Sequence, residues 1–389
     1  MPYDFDELID RSGTHSIKYE AGKKRRPPLP EDHIPLWVAD MDFACPEPIL
    51  EAMRKRLDRR ILGYTSTDDA LYCEAVTGWM RRRYGWNIRP EWLSFSSGIV
   101  TALYAAVDCL TGPGDEVLVM TPAYHPFDLA IRRYDRRPLY TRLKSRGGHY
   151  TIDWEDFEDK ARRKSCTLLF FCSPHNPTGR VWTEEELRRV GEICIQKGVF
   201  IVSDEIHADL LRLGQRHIPL AKLFPDAPRM ITCTAPSKTF NIAGNRHANL
   251  IIPDPDIRRM WNERANCGHA GALTVDATIA AYTQCDGWLD ALRAYLDGSF
   301  QMLDATLKAR LPKAVYRIPE GTYLAWIDFS RLGLSDERLN ELISEAGVFA
   351  QFAGDFVDNA AGCMRLNMAS PRAVLEEAFA RIVRALERY

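Results

Sequence analysis

The sequence contains no run of about 20 apolar residues, the length that a membrane-spanning helix requires. Its 51 basic and 53 acidic residues give a net charge of −2, without the basic excess typical of proteins that bind nucleic acid or anionic membranes. The first ten residues carry four acidic side chains and no apolar segment, which argues against a secretory signal. We therefore expect a cytoplasmic protein with neither nucleic acid nor membrane as a partner.

Metal-site spacing is also missing from the sequence. The ten cysteines include no C-x-x-C pair, and the nine histidines include no H-E-x-x-H motif. Several cysteines, such as Cys172, lie in apolar runs, where reduced thiols act as small hydrophobic side chains. We expect buried reduced thiols and no metal. The basic run at residues 23–26 is interpreted as a solvated loop rather than a nucleic-acid or targeting element.

Short apolar runs alternate with amphipathic segments between about residues 90 and 255. The amphipathic segments predict helices at Ile99–Leu110 and, after a capping box formed by Thr183 and Glu186, at 187–197. The apolar runs are continuous, as in strands that a sheet buries on both faces. They lie at residues 116–120, 167–172, 199–203, 230–233 and 249–252. Strands that alternate with helices in this way predict an α/β domain with a mostly parallel sheet and helices on both faces.

The pattern changes after about residue 286. The remaining residues predict, in order, a helix at 287–311, strands at 315–318 and 322–329, a helix at 335–345, a strand near 364–368 and a helix at 371–388. Because strands and helices do not alternate regularly here, we expect a smaller α+β domain. The predicted division is an N-terminal arm at 1–45 that packs with the small domain, a large domain at 46–286 and a small domain at 287–389.

Polar and small residues follow four of the predicted strands, at the edge where open α/β sheets bind ligands. They lie at 121–124 (TPAY), 173–179 (SPHNPTG), 203–207 (SDEIH) and 234–241 (TAPSKTFN). Asp204 follows an apolar strand. It could cap a following helix, or it could keep a heterocyclic nitrogen protonated. Lys238 stands in a turn of small residues. It could be a solvated surface lysine or, near a buried carboxylate, a Schiff-base lysine.

These segments carry a resemblance to a known family. Together, 173–179, 203–207 and 237–244 (SKTFNIAG) resemble the class I/II aminotransferase superfamily, pyridoxal 5′-phosphate (PLP) enzymes of fold type I. The segments WVADMDF (37–43), LGYT (62–65), GTYLAW (321–326) and RLN (365–367) are similar to the cystathionine β-lyase branch, the C–S lyases. The resemblance runs from about residue 30 to the C-terminus. It implies PLP as the cofactor, a large PLP-binding domain and a homodimer with a shared active site.

The resemblance also implies a role for each matching residue. Lys238 would bond the cofactor aldehyde and move protons at the substrate Cα, Asp204 would pair with the ring nitrogen, and Tyr124 would stack on the ring. Arg365 would hold the substrate carboxylate, helped by the backbone of Ala39, whereas a lone arginine would ordinarily form a surface ion pair. Ser97 and Gly98, at a helix N-terminus, would offer backbone N–H groups to the phosphate. Further cofactor contacts are implied for Ile99, Asn176, His207, Ser237 and, from the neighbouring subunit, Tyr64. Asn176 and Tyr64 would also lie beside the substrate.

The sequence departs from the lyase branch at three positions. Ala235 replaces a serine, which removes one hydroxyl from the phosphate site. Arg246 lies eight residues beyond Lys238, where aminotransferases place a phosphate-binding arginine, and we interpret it as compensating for Ala235. His125 replaces an aromatic residue after Tyr124, which predicts an altered substrate pocket.

Three functions follow from these residues. We expect α,β-elimination on L-cystathionine or another L-cysteine S-conjugate, which yields a thiol, pyruvate and ammonia. A class I/II aminotransferase begins with the same steps, and sequence patterns do not separate the two. A regulatory binding protein with residual lyase activity is the third alternative. The presence of Lys238, Asp204, Asn176 and Arg365 argues against a purely non-catalytic role.

Overall fold

The computed structural model describes residues 3–24, 28–225 and 227–389. The helices in this part of the chain are α1 Ile17–Lys24, α2 Glu47–Asp58, α3 Ala70–Tyr84, α4 Ile99–Leu110, α5 His125–Arg133, α6 Trp154–Ala161, α7 Glu184–Lys197, α8 Pro236–Thr239, α9 Pro255–Arg264, α10 Ala272–Gln284, α11 Asp286–Arg310, α12 Asp336–Glu345 and α13 Arg372–Leu386. The strands are β1 Ile34–Pro35, β2 Leu93–Ser96, β3 Glu116–Thr121, β4 Ala123–Tyr124, β5 Arg137–Arg142, β6 Lys144–Arg146, β7 His149–Thr151, β8 Cys166–Cys172, β9 Phe200–Asp204, β10 Met230–Thr234, β11 Ala248–Ile251, β12 Leu324–Asp328, β13 Val348–Phe349, β14 Gln351–Phe352, β15 Phe356–Val357 and β16 Cys363–Asn367.

A seven-stranded sheet with the order β2-β11-β10-β9-β8-β3-β5 forms the centre of the molecule. Its strands are parallel except β11, which runs antiparallel to both neighbours. Alternate residues of β8 enter different cores: Leu168 and Phe170 join one cluster, and Leu169 and Phe171 join the other. A strand buried on both faces must be apolar along its whole length, which is why its sequence shows no alternation. The predicted mostly parallel α/β sheet is confirmed.

The sequence did not predict the two edge strands, β2 and β5. Strand β5 begins and ends with exposed arginines, and β2 contains two serines, so neither forms a continuous apolar run. Edge strands keep one side toward solvent or loops and tolerate such residues.

Parallel pairing gathers the predicted functional segments at one edge of this sheet. Asp204, the last residue of β9, lies opposite Cys172 on β8 and Cys233 on β10. The chain leaving β3, β8, β9 and β10 therefore emerges at the same edge, and the polar segments after these strands meet there.

The predicted capping box of α7 is present. Thr183 Oγ1 accepts a hydrogen bond from the Glu186 N–H at 3.2 Å, and Glu186 Oε2 accepts one from the Thr183 N–H at 2.8 Å. Gly198 ends the helix with φ of 72°, a left-handed conformation that favours glycine.

We expect Thr183→Ala to lower the free energy of unfolding by about 1 kcal/mol, because the Glu186 N–H loses its acceptor at the first turn of α7. Urea denaturation followed by circular dichroism measures the change. Thr183→Ser keeps the hydroxyl and should stay close to the parent. An equal decrease in the free energy of unfolding in both variants would contradict a capping role for this side chain.

The C-terminal part contains helices α11, α12 and α13 around a three-stranded antiparallel sheet with the order β12-β16-β14. The prediction of a strand at residues 315–318 is wrong. Within this segment only Val315 pairs, through an isolated bridge to Asp328. Pro319 directly follows the segment and cannot donate a backbone hydrogen bond, which limits further pairing.

The N-terminal segment packs against this C-terminal part. Strand β1 pairs in parallel with β13, with Ile34 opposite Val348. Helix α1 extends through Lys24, so the basic run begins in a helix rather than in the predicted loop, while Arg25 and Arg26 lie outside the described residues. The predicted domain boundaries at 45/46 and 286/287 stay predictions. No helix in the described ranges has both the length and the apolar character that crossing a membrane demands.

Candidate active site

A cavity of about 470 Å³ opens where the functional segments meet. All the predicted site residues except Tyr64 line it: Ala39, Ser97, Gly98, Ile99, Tyr124, Asn176, Asp204, His207, Ser237, Lys238, Arg246 and Arg365. The lining also includes residues that the sequence analysis did not single out: Trp37, Val38, Val100, Thr101, Cys172, Ile206, Ala243, His247 and Gln351. The structure thus brings together residues that lie more than 300 positions apart in the sequence.

Lys238 is carried by the short helix α8, directly after β10. Its Nζ atom donates a hydrogen bond of 2.6 Å to the carbonyl oxygen of Ala39. Removal from bulk water lowers the pKa of Lys238 from 10.5 to about 8, and the charge of Arg365 acts in the same direction, while Asp40 and Asp204 oppose it. An amine with this pKa is neutral in a useful fraction of molecules near pH 7, as a nucleophile or a base must be.

Asp204 lies buried at the end of β9. Burial raises its pKa to about 7, and the neighbouring Glu205 adds to the rise, because the Ile206 N–H, 3.2 Å from Oδ1, and the charge of Lys238 compensate only in part. Turns rather than a helix follow β9, so the helix-cap alternative for Asp204 is wrong. The carboxylate is instead an acceptor without a strong partner, facing a cavity.

His207 and Tyr124 lie near this carboxylate. Burial lowers the pKa of His207 to about 3, so the imidazole is neutral, and its Nδ1 has no hydrogen-bond partner among the described residues. Tyr124 precedes α5 and is held by the β4–β15 pairing with Phe356. Burial raises the pKa of its phenol, so the ring stays uncharged.

Helix α4 presents backbone donors at the opposite end of the cavity. Gly98 has φ of 136°, which favours glycine, and the N–H groups of Gly98 and Ile99 have no partner within the described ranges. The prediction for Ser97 needs correction, because its N–H already donates to the carbonyl oxygen of Cys267 at 2.8 Å. The Ser97 hydroxyl, which donates to Thr101 Oγ1 at 3.4 Å, is the group of this residue left to face a ligand. This helix terminus suits an anion.

Arg246 lies beside the same helix terminus. Strand β11 pairs with β2 so that Ala248 is opposite Ser96, which places the residues just before β11 next to Ser97 and Gly98. Arg246 is an exposed residue that lines the cavity and makes no ion pair with any described residue. Ala235, the residue before α8, contributes only a buried methyl group. The geometry is compatible with the predicted compensation, which stays a prediction.

Arg365 lies on β16 and is 3% exposed. Its Nη1 donates to Asn176 Oδ1 at 2.8 Å, and its Nη2 donates to the carbonyl oxygen of Trp37 at 3.0 Å and to Gln351 Oε1. Burial lowers its pKa to about 10, so the guanidinium still carries its charge at neutral pH. The surface ion-pair alternative is wrong, because Arg365 is buried and pairs with no described carboxylate.

The N-terminal segment 37–41 connects the two cationic residues. The carbonyl oxygen of Trp37 accepts from Arg365, and the carbonyl oxygen of Ala39 accepts from Lys238. Asn367 Nδ2 donates to the carbonyl oxygens of Val38 and Asp40, at 2.8 and 2.7 Å, and thereby fixes this backbone. The Ala39 N–H has no partner in the described part of the chain and is available to a ligand. The sequence signal for Asn367 was its place in the family motif RLN (365–367), which gave it no role of its own.

Two residues named in the sequence analysis lie outside the cavity. Tyr64 is fully exposed, next to the exposed side chains of Ile61 and Leu62. His125 is exposed at the start of α5 and does not line the cavity, so within one chain it does not shape the pocket.

The polar groups around the cavity fit a phosphorylated pyridine aldehyde. One end offers free helix N–H groups and Arg246 to a phosphate. The other end offers Asp204 to a ring nitrogen, and Lys238 offers its amine to an aldehyde. The unpartnered Nδ1 of His207 and the flat face of Tyr124 add polar and aromatic contacts.

The model of the family "Aminotransferase class I and II" matches residues 31–382. The chain belongs to this family. It is 42% identical over 387 residues to cystathionine β-lyase PatB of Bacillus subtilis (strain 168), covering 98% of this chain and 99% of that protein. The PLP-bound C–S lyase of Staphylococcus hominis has a TM-score of 0.95 at 41% identity and covers 99% of this chain and 98% of its own. Cystalysin of Treponema denticola, which contains PLP, has a TM-score of 0.96 at 36% identity, with 100% of both chains covered. These likenesses confirm the predicted family, its lyase branch and the fold-type-I architecture.

Proposed function

We propose that this family member is a PLP-dependent carbon–sulfur lyase that eliminates a thiol from L-cystathionine or another L-cysteine S-conjugate, leaving pyruvate and ammonia. The observation that carries the proposal is the convergence of a weakly basic amine, Lys238, a buried carboxylate, Asp204, and a buried guanidinium, Arg365, on one cavity. The likeness to enzymes named as C–S lyases over nearly the whole chain supports this choice of reaction.

Each residue has a task in this reaction. Bound PLP supplies an aldehyde that captures an amine and a ring that withdraws electrons from Cα. Lys238 would hold the aldehyde of the cofactor and would take the proton from the substrate Cα, because its lowered pKa leaves the amine free to accept it. Asp204 would keep a proton at the ring nitrogen. Arg365 and the Ala39 N–H orient the substrate carboxylate and thereby direct the Cα–H bond.

The remaining residues position the cofactor. The N–H groups of Gly98 and Ile99, the hydroxyls of Ser97 and Ser237 and the guanidinium of Arg246 would bind the phosphate. Tyr124 would stack on the ring, and Asn176, whose Oδ1 accepts from Arg365, would donate its amide N–H to the ring oxygen. His207 would face the ring as a neutral imidazole.

We further propose a cytoplasmic homodimer in which Tyr64 reaches the neighbouring subunit's phosphate site and also lies beside the substrate. The supporting observation is the exposed apolar surface around it, where Ile61 is 73% and Leu62 is 58% exposed. A site completed by Tyr64 would need two subunits for activity.

The lyase proposal is tested by incubating the holoenzyme with L-cystathionine and, separately, with an amino acid plus 2-oxoglutarate. We expect thiol and pyruvate from the first mixture at a higher rate than glutamate from the second. Faster glutamate formation would overturn the proposal in favour of an aminotransferase. That alternative has one specific observation on its side, the arginine at position 246.

We expect Arg246→Ala to weaken PLP binding by about tenfold, because one charge-assisted hydrogen bond to the phosphate is lost. Reconstitution of the apoprotein, followed by tyrosine and tryptophan fluorescence, measures the dissociation constant. Adding Ala235→Ser to the Arg246→Ala variant should recover part of the affinity by restoring a hydroxyl. Equal affinity of the Arg246→Ala variant and the parent would show that this arginine does not compensate for Ala235.

A further inference from the structure

The hydrogen bonds of Arg365 leave no complete site for a carboxylate. A guanidinium binds a carboxylate bidentately along one of two edges, formed by Nε and Nη2 or by Nη1 and Nη2. Both edges need a hydrogen on Nη2. The two hydrogens on Nη2 are already taken, by the carbonyl oxygen of Trp37 and by Gln351 Oε1. A substrate carboxylate must therefore displace one of these acceptors.

The Trp37 carbonyl is fixed in place. The neighbouring Leu36 donates its N–H to Phe349 and accepts from Asn367, both at 2.8 Å. The Trp37 ring stacks on Phe349 with ring centroids 5.0 Å apart, and its Nε1 donates to the carbonyl oxygen of Lys18 at 3.0 Å. Val38 is held by Asn367 on the other side. Moving this carbonyl would break several hydrogen bonds at once.

Gln351 is free to move. It lies opposite Arg365 in the β14–β16 pairing, and among the described residues its side chain has one hydrogen bond, which Oε1 accepts from Arg365. Gln351 lines the active-site cavity and also a second space of about 390 Å³, which Trp37, Phe349 and Asp355 border. Rotation of the side chain into that space would release Nη2 without disturbing the backbone. The Nε atom of Arg365, buried and without a partner among the described residues, would then gain an acceptor if the carboxylate binds along its edge.

We propose that Gln351 is a displaceable cap on Arg365 that sets the affinity of the site for the α-carboxylate. The inference rests on the proposed substrate-binding role of Arg365. A carboxylate brings a full negative charge and two oxygens, so it outcompetes a neutral amide for the guanidinium. An ester or a substituted amide carries no negative charge and has one good acceptor oxygen, so it leaves the cap in place. The cap thus competes with free carboxylates only: it weakens their binding to Arg365 and leaves the binding of substrates with a blocked carboxyl group unchanged.

The test compares two substitutions that should act in opposite directions on the holoenzyme. The probe is 3-(methylthio)propanoate, a carboxylate without the amine that would react, titrated by isothermal calorimetry. We expect Gln351→Ala to bind it about threefold to tenfold more tightly, because the competing acceptor is gone. We expect Gln351→Glu to bind it at least tenfold more weakly, because the new carboxylate pairs with Arg365. Gln301→Ala, an exposed glutamine on α11, serves as the matched control.

The methyl ester of the probe separates capping from a general change in the pocket. Its affinity should be the same in the parent, Gln351→Ala and Gln351→Glu. Weaker binding of the acid to Gln351→Ala would overturn the proposal, since Gln351 would then assist binding rather than compete with it. Equal changes for acid and ester would overturn it as well. Absence of thiol release from L-cystathionine would defeat the proposed function but leave this binding comparison intact.

Discussion

Replacement of Lys238 by alanine is expected to lower kcat for thiol release by roughly 10³- to 10⁴-fold and to abolish covalent attachment of the cofactor. The physical reason is that no other described lysine lines the cavity, so neither the bond to the aldehyde nor the acceptance of the Cα proton has a substitute. Borohydride reduction followed by mass spectrometry detects the attachment. A variant that still became labelled at the same stoichiometry would contradict the assignment of Lys238.

The same lysine makes cofactor capture depend on pH in a defined direction. Only the neutral amine attacks an aldehyde, and the pKa of Lys238 is lowered to about 8. The rate of capture by the apoprotein should therefore fall about tenfold per pH unit below 8 and level off above it. If the pKa of this lysine were not shifted, the rate of capture would keep rising up to about pH 10.5. Stopped-flow absorbance of apoprotein mixed with PLP gives the profile, and Lys238→Arg, which keeps the charge but cannot be deprotonated, is the control.

The sequence predicted those parts of the fold and of the site that depend on residues close together in the chain. Continuous apolar runs located the central strands, and the residue type at the end of each strand, such as Asp204 after β9, located the candidate site. These features depend on a few neighbouring residues and on the rule that parallel strands end at one edge. The position of Lys238 left a Schiff-base role and a surface role open, and the family resemblance decided between them; the role of Arg365 came from the resemblance alone, since a lone arginine is ordinarily a surface residue.

Other parts of the site depend on contacts that no local pattern encodes. The Trp37 carbonyl reaches Arg365 across 328 positions of sequence, and the partner of Lys238 is a backbone oxygen 199 positions away. Backbone groups have no sequence signature, so the segment 37–41 was predicted as family motif rather than as a hydrogen-bonding element. The engagement of the Ser97 N–H by Cys267 was missed for the same reason. Gln351 gave no signal because a glutamine in a two-residue strand is chemically ordinary.

Asp204→Asn is expected to have the second large effect on catalysis, a loss of about 10³-fold in kcat. The asparagine can still occupy the space and accept from the Ile206 N–H, but it has no charge with which to keep a ring nitrogen protonated. Asp204→Glu retains the charge and should lose less. Steady-state kinetics with L-cystathionine measure both variants. Full activity in the asparagine variant would contradict the proposed role.

The same substitution should stabilise the apoprotein, because ionising the buried Asp204 carboxyl group is unfavourable in the folded state and the asparagine avoids this penalty. The folded-state pKa of Asp204 is about 7, above the ordinary value of 3.8, so the unfolded chain releases this proton first as pH rises. Below about pH 4 both states are protonated and the penalty is absent. Between pH 4 and 7 the penalty grows, and above pH 7 it levels off at about 4 kcal/mol. Urea denaturation of apo Asp204→Asn and the apo parent at pH 4 and pH 8, at one protein concentration, should show a gain only at pH 8. A difference independent of pH would mean that the carboxylate finds a partner in the folded apoprotein, and the site would then not be poised to receive a ring N–H.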